Sequence, residues 1–202
     1  MRPPLLTILP LTLFLLAVIS GPGQASPQSG PLVGASVPAL ALPDIAGHKH
    51  SLSEKGRPVT LLFFCGCAPC HDFARLWSQV QQSGDLAPQA PPHRSATRSP
   101  ATVVVFLGGA TAARAFAAQT GLDLSQTLLL IDPSDRMGQR FGVIQCPRVF
   151  VADAARRLVY TNPDADGPAP RLSATALVSR TLTAWRHLPA EQKALPGKKA
   201  AP

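Results

Sequence analysis

Four cysteines stand at positions 65, 67, 70 and 146, three of them inside the six residues Cys65-Gly66-Cys67-Ala68-Pro69-Cys70. That spacing has a direct chemical meaning. If Cys67 opens a helix, its sulfur lies beside unpaired N–H groups and the positive end of the helix dipole, where thiolate is favoured over thiol. Cys70 then follows one turn later, within reach of a covalent bond to it. Pro69 suits the first helical turn, since the donor it lacks is one the helix would not have used. Cys67 is the candidate nucleophile and Cys70 its partner. Other chemistries share the spacing: a structural disulfide, half of a zinc site, or c-type haem attachment, because Cys67-Ala68-Pro69-Cys70-His71 is literally C-x-x-C-H. For haem, Met137 would be the thioether candidate beyond the N-terminal segment.

The neighbouring elements must decide. Pro58–Phe64 is a β-branched and aromatic run with apolar residues on both faces, which predicts a central strand running straight into the cysteines. After them, Phe73, Leu76, Trp77 and Val80 recur on one face of a helix over residues 68–82. Strand before and helix after favour the redox pair over a small helical haem domain. Upstream, short apolar stretches and the turn Pro43-Asp44-Ile45-Ala46-Gly47 predict a β-hairpin within residues 32–55. His48 and His50 fall beside that turn and read as solvent-facing hairpin residues. Downstream, the pattern predicts strands at 102–107, 127–131, 149–151 and 158–161, and helices at 111–120, 134–141 and 173–187. Trp77 and Trp185 lie on apolar helix faces and read as core. The alternation of strands and helices indicates an α/β fold, an open sheet with helices on both faces. Residues 83–100, rich in Pro, Ser, Ala and basic side chains, read as a long surface loop.

Length and composition set the frame. The chain has 202 residues, 46% hydrophobic and 15% charged, enough for one complete core with appendages. Its 22 Pro and 15 Gly stay below the roughly 25–30% that marks low-complexity chains. Lys and Arg outnumber Asp and Glu by 19 to 11, but they are scattered, with no aromatic-interleaved basic stripe. No nucleic-acid partner is expected. After Arg2, the uncharged apolar run 5–19 ends at Ser20-Gly21-Pro22-Gly23, the layout of a signal peptide cleaved after Ala25. The run is shorter than the roughly 20 residues of a membrane span and contains Pro10. Left uncleaved, it would tether the chain to a membrane. Residues 26–31 read as a linker, 32–188 as the folded domain, and 189–202 as a disordered basic tail. Export to a periplasmic or other extracytoplasmic space would place the thiols where disulfides persist.

With the C-x-x-C and its flanks in view, the chain resembles the thioredoxin superfamily, and within it the redoxin group of peroxiredoxin-like antioxidants and exported thioredoxin-like reductases. The resemblance runs from about Val33 to Tyr160. It rests on Val33-Gly34, Val37-Pro38, Leu40, Leu42, Asp44, Gly47 and Leu52, then Gly56-Arg57-Pro58 and the C-x-x-C. Further on it takes in Leu130-Ile131-Asp132-Pro133, Phe141-Gly142-Val143, Pro147-Arg148-Val149-Phe150-Val151, Asp153 and Leu158-Val159-Tyr160. It implies a central mixed sheet flanked by helices with an N-terminal hairpin extension. It also implies a cis Pro147 facing the dithiol, with Pro147, Cys146 and Pro69 shaping the substrate-binding surface.

The sequence departs from the family pattern at Gly66, where an aromatic residue is usual, and at Cys146, where Thr or Val is usual. Strand 59–64 carries no carboxylate to move protons for the second thiol, leaving water or His71. The Pro-x-x-x-Thr-x-x-Cys frame of a peroxidatic cysteine is not met by Pro58 and Thr60, so thiol peroxidase chemistry stands only as an alternative. A cis-proline loop facing the dithiol would also gather Cys65, Cys67, Cys70, Cys146 and His71, a set suited to Cu(I), zinc or an iron–sulfur cluster. This gives a metal- or haem-handling factor as a further alternative. The bland reading of Cys65 and Cys146 is that of small buried hydrophobes. The resulting expectation is an exported thiol–disulfide oxidoreductase using Cys67 and Cys70, with protein disulfides or dithiols and an electron donor as partners, and neither metal nor cofactor.

Overall fold

A computed structural model describes residues 30–39, 41–51, 57–83, 101–162 and 172–188. The expected signal peptide, most of the linker, the loop at 84–100 and the basic tail lie outside the described residues. Among the described residues, seven strands and four helices follow in the order β1 (Ala41–Pro43), β2 (Lys49–Ser51), β3 (Val59–Phe64), α1 (Ala68–Ser83), β4 (Ala101–Phe106), α2 (Ala110–Thr120), β5 (Thr127–Ile131), α3 (Arg136–Arg140), β6 (Arg148–Ala152), β7 (Leu158–Thr161) and α4 (Ala174–Arg186). Every element predicted between residues 32 and 187 is present, with ends shifted by a few residues.

The hairpin β1–β2 turns at Asp44, whose carboxylate accepts N–H bonds from Ala46 at 2.8 Å and His48 at 2.9 Å. His50 Nε2 lies 2.8 Å from the same carboxylate, so His50 is half-buried rather than solvent-facing, whereas His48 is exposed as expected. The main sheet has the order β5-β4-β3-β6-β7. β3 runs parallel to β4, and β4 to β5, while β6 lies antiparallel to both β3 and β7.

This order decides which helices lie on which face of the sheet. The crossovers β3-α1-β4 and β4-α2-β5 both step in the same direction across the sheet, and right-handed crossovers then put both helices on one face. α4 packs on α1 on that same side. Leu62, Phe64, Val104, Leu129, Val149 and Val151 face these three helices, meeting Phe73, Trp77, Phe116, Leu177 and Trp185. The opposite face, with Val59, Leu61, Phe63, Val105 and Phe150, is covered by the five-residue α3 and the N-terminal segment, through Met137, Phe141, Leu42 and Val37. β3 is therefore buried along its whole length, as its unbroken apolar run requires.

α1 is anchored at both ends. Phe73 and Trp77 hold it to the sheet, their rings stacked with centroids 5.8 Å apart. Near its C-terminus the buried Gln81 Nε2 donates to Thr127 Oγ1 at 3.1 Å and Thr102 Oγ1 at 3.4 Å, tying the helix to β5 and β4. The anchoring fixes where the N-terminus of α1 points, and that end carries the cysteines.

Candidate functional site

β3 delivers the chain to Cys65 at the C-terminal ends of the parallel strands, where ligands and reactive groups of open α/β sheets gather. Gly66 turns the chain with φ +79°, and a side chain there would also meet the Phe106 ring at 3.4 Å. Glycine adopts that conformation at no steric cost. Cys67 caps α1: its carbonyl accepts the N–H of Cys70 at 2.9 Å and of His71 at 3.1 Å. Ala68 and Pro69 occupy the first turn and are exposed, placing Pro69 in the position its missing donor suits.

The two sulfurs of the C-x-x-C lie 3.3 Å apart. Cys70 is fully buried while Cys67 is partly open to solvent, so one thiol can meet an outside partner and the other is held in reserve behind it. The Cys146–Pro147 peptide bond is cis, and the Cys67 thiol approaches the Cys146 carbonyl at 3.8 Å. Pro147 and Cys146 thus face Cys67 directly, and the expected site residues Cys67, Cys70, Pro69, Cys146 and Pro147 come together at one end of the sheet. Ile144, on the approach to the cis peptide bond, is 60% exposed and adds an apolar surface that sequence reasoning passed over.

Cys65 is the larger surprise. It is exposed, not a buried hydrophobe, and its sulfur belongs to a group with Cys67 and Cys70 in which all three lie within 4.8 Å of one another. Among the described residues this is the set that could hold a soft metal ion, and it is built from the same sulfurs as the dithiol. Hydrogen bonds from Cys146 and then Cys70 hold Cys65 well below the usual thiol range, outweighing the opposing effect of its partial burial. The same contacts act in reverse on their donors. Contacts with Cys146 and Cys65, then burial, push Cys70 up, while Cys146 is pushed up to about 12, chiefly by its contact with Cys65. Proton placement around Cys70 is therefore governed by neighbouring thiols. His71 instead sets its ring edge-on against Phe116, with centroids 4.8 Å apart.

A measurable consequence follows for the reduced protein. Thiolate, not thiol, is alkylated, so a free cysteine loses about tenfold in rate for each pH unit below its pKa near 8.5. Cys65 is expected to react with iodoacetamide at nearly constant rate from pH 8 down to pH 5, with Cys146 and Cys70 unmodified, as read by mass mapping of quenched samples. A tenfold fall per unit at Cys65 would contradict the hydrogen-bonded arrangement.

The geometry disfavours the haem reading. The sulfur of Cys70 is enclosed by the core, so attaching a porphyrin there would require that face to be repacked, and Met137 is buried on the opposite side of the sheet.

No protein-family model and no curated protein sequence matches the chain. Among solved structures, likeness extends over most of the described fold. A structure assigned as a thiol:disulfide interchange protein, DsbE, from Chlorobium tepidum is 23% identical, with 76% of this chain and 98% of that one covered at a TM-score of 0.56. The peroxidoxin BcpB from Mycobacterium tuberculosis is 20% identical, covering 78% and 98% with a TM-score of 0.60. A secreted disulfide oxidoreductase of Mycobacterium tuberculosis, described as homologous to E. coli DsbE, is 18% identical, covering 71% and 95% at 0.53. The fold is thioredoxin-like: a mixed five-stranded sheet flanked by helices, with an N-terminal hairpin. No described helix is long and apolar enough to cross a membrane.

Proposed function

We propose that the protein is an exported thiol–disulfide oxidoreductase that exchanges disulfides through Cys67 and Cys70. The observation that carries this reading is the pair of sulfurs 3.3 Å apart at the start of α1, one open and one buried, facing a cis proline. The working unit is residues 32–188, and residues 1–25 are the export signal. The Cys67 thiolate attacks one sulfur of a substrate disulfide, and the other sulfur leaves with the electron pair. Cys70 then attacks the Cys67 sulfur, closing the Cys67–Cys70 disulfide and releasing the substrate as a dithiol. The reverse sequence oxidises a substrate dithiol. The cis-proline segment at Cys146–Pro147, with the apolar Ile144 beside it, forms the surface along which a substrate chain lies, while the exposed Ala68 and Pro69 border it on the helix side.

Solved structures carrying disulfide-exchange names share this fold, which supports the reading at the level of architecture. The departure from the peroxidatic motif favours disulfide exchange over peroxide reduction, and no resident cofactor or metal enters the steps. The test is reduction of insulin disulfides with dithiothreitol as electron source. The protein is expected to accelerate precipitation of the insulin B chain well above the dithiothreitol background. A rate indistinguishable from that background, with the protein folded, would refute the proposal.

A further inference from the structure

Two cysteines remain outside that cycle, and the pairing of β3 with β6 carries the chain segments that bear them side by side. β3 and β6 pair antiparallel with Leu62 opposite Val149 and Phe63 opposite Arg148. Cys65 follows that last pair by two residues on one strand, and Cys146 precedes it by two on the other. The side chains agree: the Cys65 sulfur lies within 4.8 Å of the Cys67 and Cys70 sulfurs, the Cys67 thiol reaches the Cys146 carbonyl at 3.8 Å, and Cys65 and Cys146 each shift the other's ionisation. Neither feature is needed to bring Cys67 and Cys70 together, which sequence spacing and the helix turn already achieve.

We propose that Cys65 and Cys146 are a second redox couple, which passes electrons to the Cys67–Cys70 disulfide. This inference rests on the oxidoreductase reading above and extends it to two further catalytic residues. The exchange needs no outside oxidant. The Cys65 thiolate attacks the Cys70 sulfur of the Cys67–Cys70 disulfide; a Cys65–Cys70 bond forms, and Cys67 leaves as thiolate at the helix N-terminus. The Cys146 sulfur then attacks Cys65, forming the Cys65–Cys146 disulfide, and its proton passes to the departing Cys70. One thiolate, one thiol and one disulfide stand on each side, and two electrons have moved from the outer couple to the inner one. The inner dithiol is thereby restored for another substrate. The exposed Cys65 would then meet the electron donor.

The full chain, reduced and freed of reductant, would be incubated with excess oxidised glutathione, quenched in acid and mapped by mass spectrometry. The expected product has lost four hydrogens, carries no glutathione, and contains both Cys67–Cys70 and Cys65–Cys146 bridges. A product with the Cys67–Cys70 bridge but with Cys65 and Cys146 free or glutathionylated would overturn the second couple and leave the oxidoreductase reading intact. Absence of a Cys67–Cys70 bridge would overturn both. Electron passage is tested separately with Cys146→Ser, in which the second step is blocked. Partial oxidation of that variant is expected to yield Cys65–Cys70 alongside Cys67–Cys70. If Cys67–Cys70 is its sole bridge, the two couples do not communicate. The wild-type map decides the first point whether or not the variant folds.

Discussion

Replacing Cys67 with serine should abolish insulin-disulfide reduction, lowering the rate on the order of a thousandfold, because a hydroxyl is not ionised near neutral pH and is not activated here by a neighbouring base. Cys70→Ser should fail differently. The first attack proceeds, but the thiol that resolves the mixed disulfide, 3.3 Å away in the wild type, is gone. Covalent adducts between Cys67 and substrate should therefore accumulate, visible as species of raised mass that disappear on reduction. The pair of results distinguishes nucleophile from resolving thiol, which loss of activity alone does not. Undiminished activity in Cys67→Ser, combined with its loss in Cys65→Ser, would move the nucleophile to the exposed Cys65 and break the assignment.

The second large effect concerns stability. Trp77 is fully buried, where α1 meets the sheet, stacked on Phe73 and in the same core as Phe64, Leu177 and Trp185. Trp77→Ala is expected to cost about 3–5 kcal/mol, the usual range for deleting a large buried aromatic. Against a total stability of about 5–15 kcal/mol for a domain, that is a large fraction. Trp77→Phe should cost less, about 1–2 kcal/mol, since it keeps much of the ring and removes a buried indole N–H that has no hydrogen-bond partner. Urea unfolding followed by circular dichroism measures both. A loss below about 1 kcal/mol in Trp77→Ala would show that α1 is held chiefly by Gln81 and its threonine partners rather than by ring packing.

Much of this was legible in the sequence because local patterns are strong where burial is complete. The run Val59–Phe64 is apolar on both faces, and it forms the central strand, covered on both sides. The helix face of Phe73 and Trp77 packs inward as its period demands, with Leu76 and Val80 at its edge. The C-x-x-C spacing itself implies two sulfurs one turn apart. The cis state of Pro147 is different. Nothing in its immediate neighbours announces it, since an isolated X-Pro bond is usually trans, and family resemblance alone supplied it.

What escaped reading depends on register. The long helices share one face because both parallel crossovers advance in the same direction, and strand order is not written in the order of elements. Cys65 and Cys146 are 81 positions apart, and only the antiparallel pairing of β3 with β6 makes them neighbours. Taken singly, each looked like a small hydrophobe. The signal that could have joined them is arithmetic: with Phe63 paired to Arg148, two further steps along the same count lead from β3 to Cys65 and from β6 back to Cys146. Gly66 is a simpler case, since a glycine between two cysteines already hints at a backbone turn that other residues resist, and its φ of +79° supplies the reason.

Disulfide exchange by this protein requires that Cys67 and Cys70 interconvert between dithiol and disulfide at accessible potentials. The direct measurement equilibrates the full chain in glutathione buffers of graded ratio, traps it with acid and alkylation, and quantifies the Cys67–Cys70 bridge by peptide mapping. A reversible bridge is predicted, with a midpoint between about −120 and −270 mV, the interval spanned by thioredoxin-fold dithiols of oxidising and reducing character. Cys67 and Cys70 remaining as separate thiols or separate glutathione adducts across the whole series would contradict it.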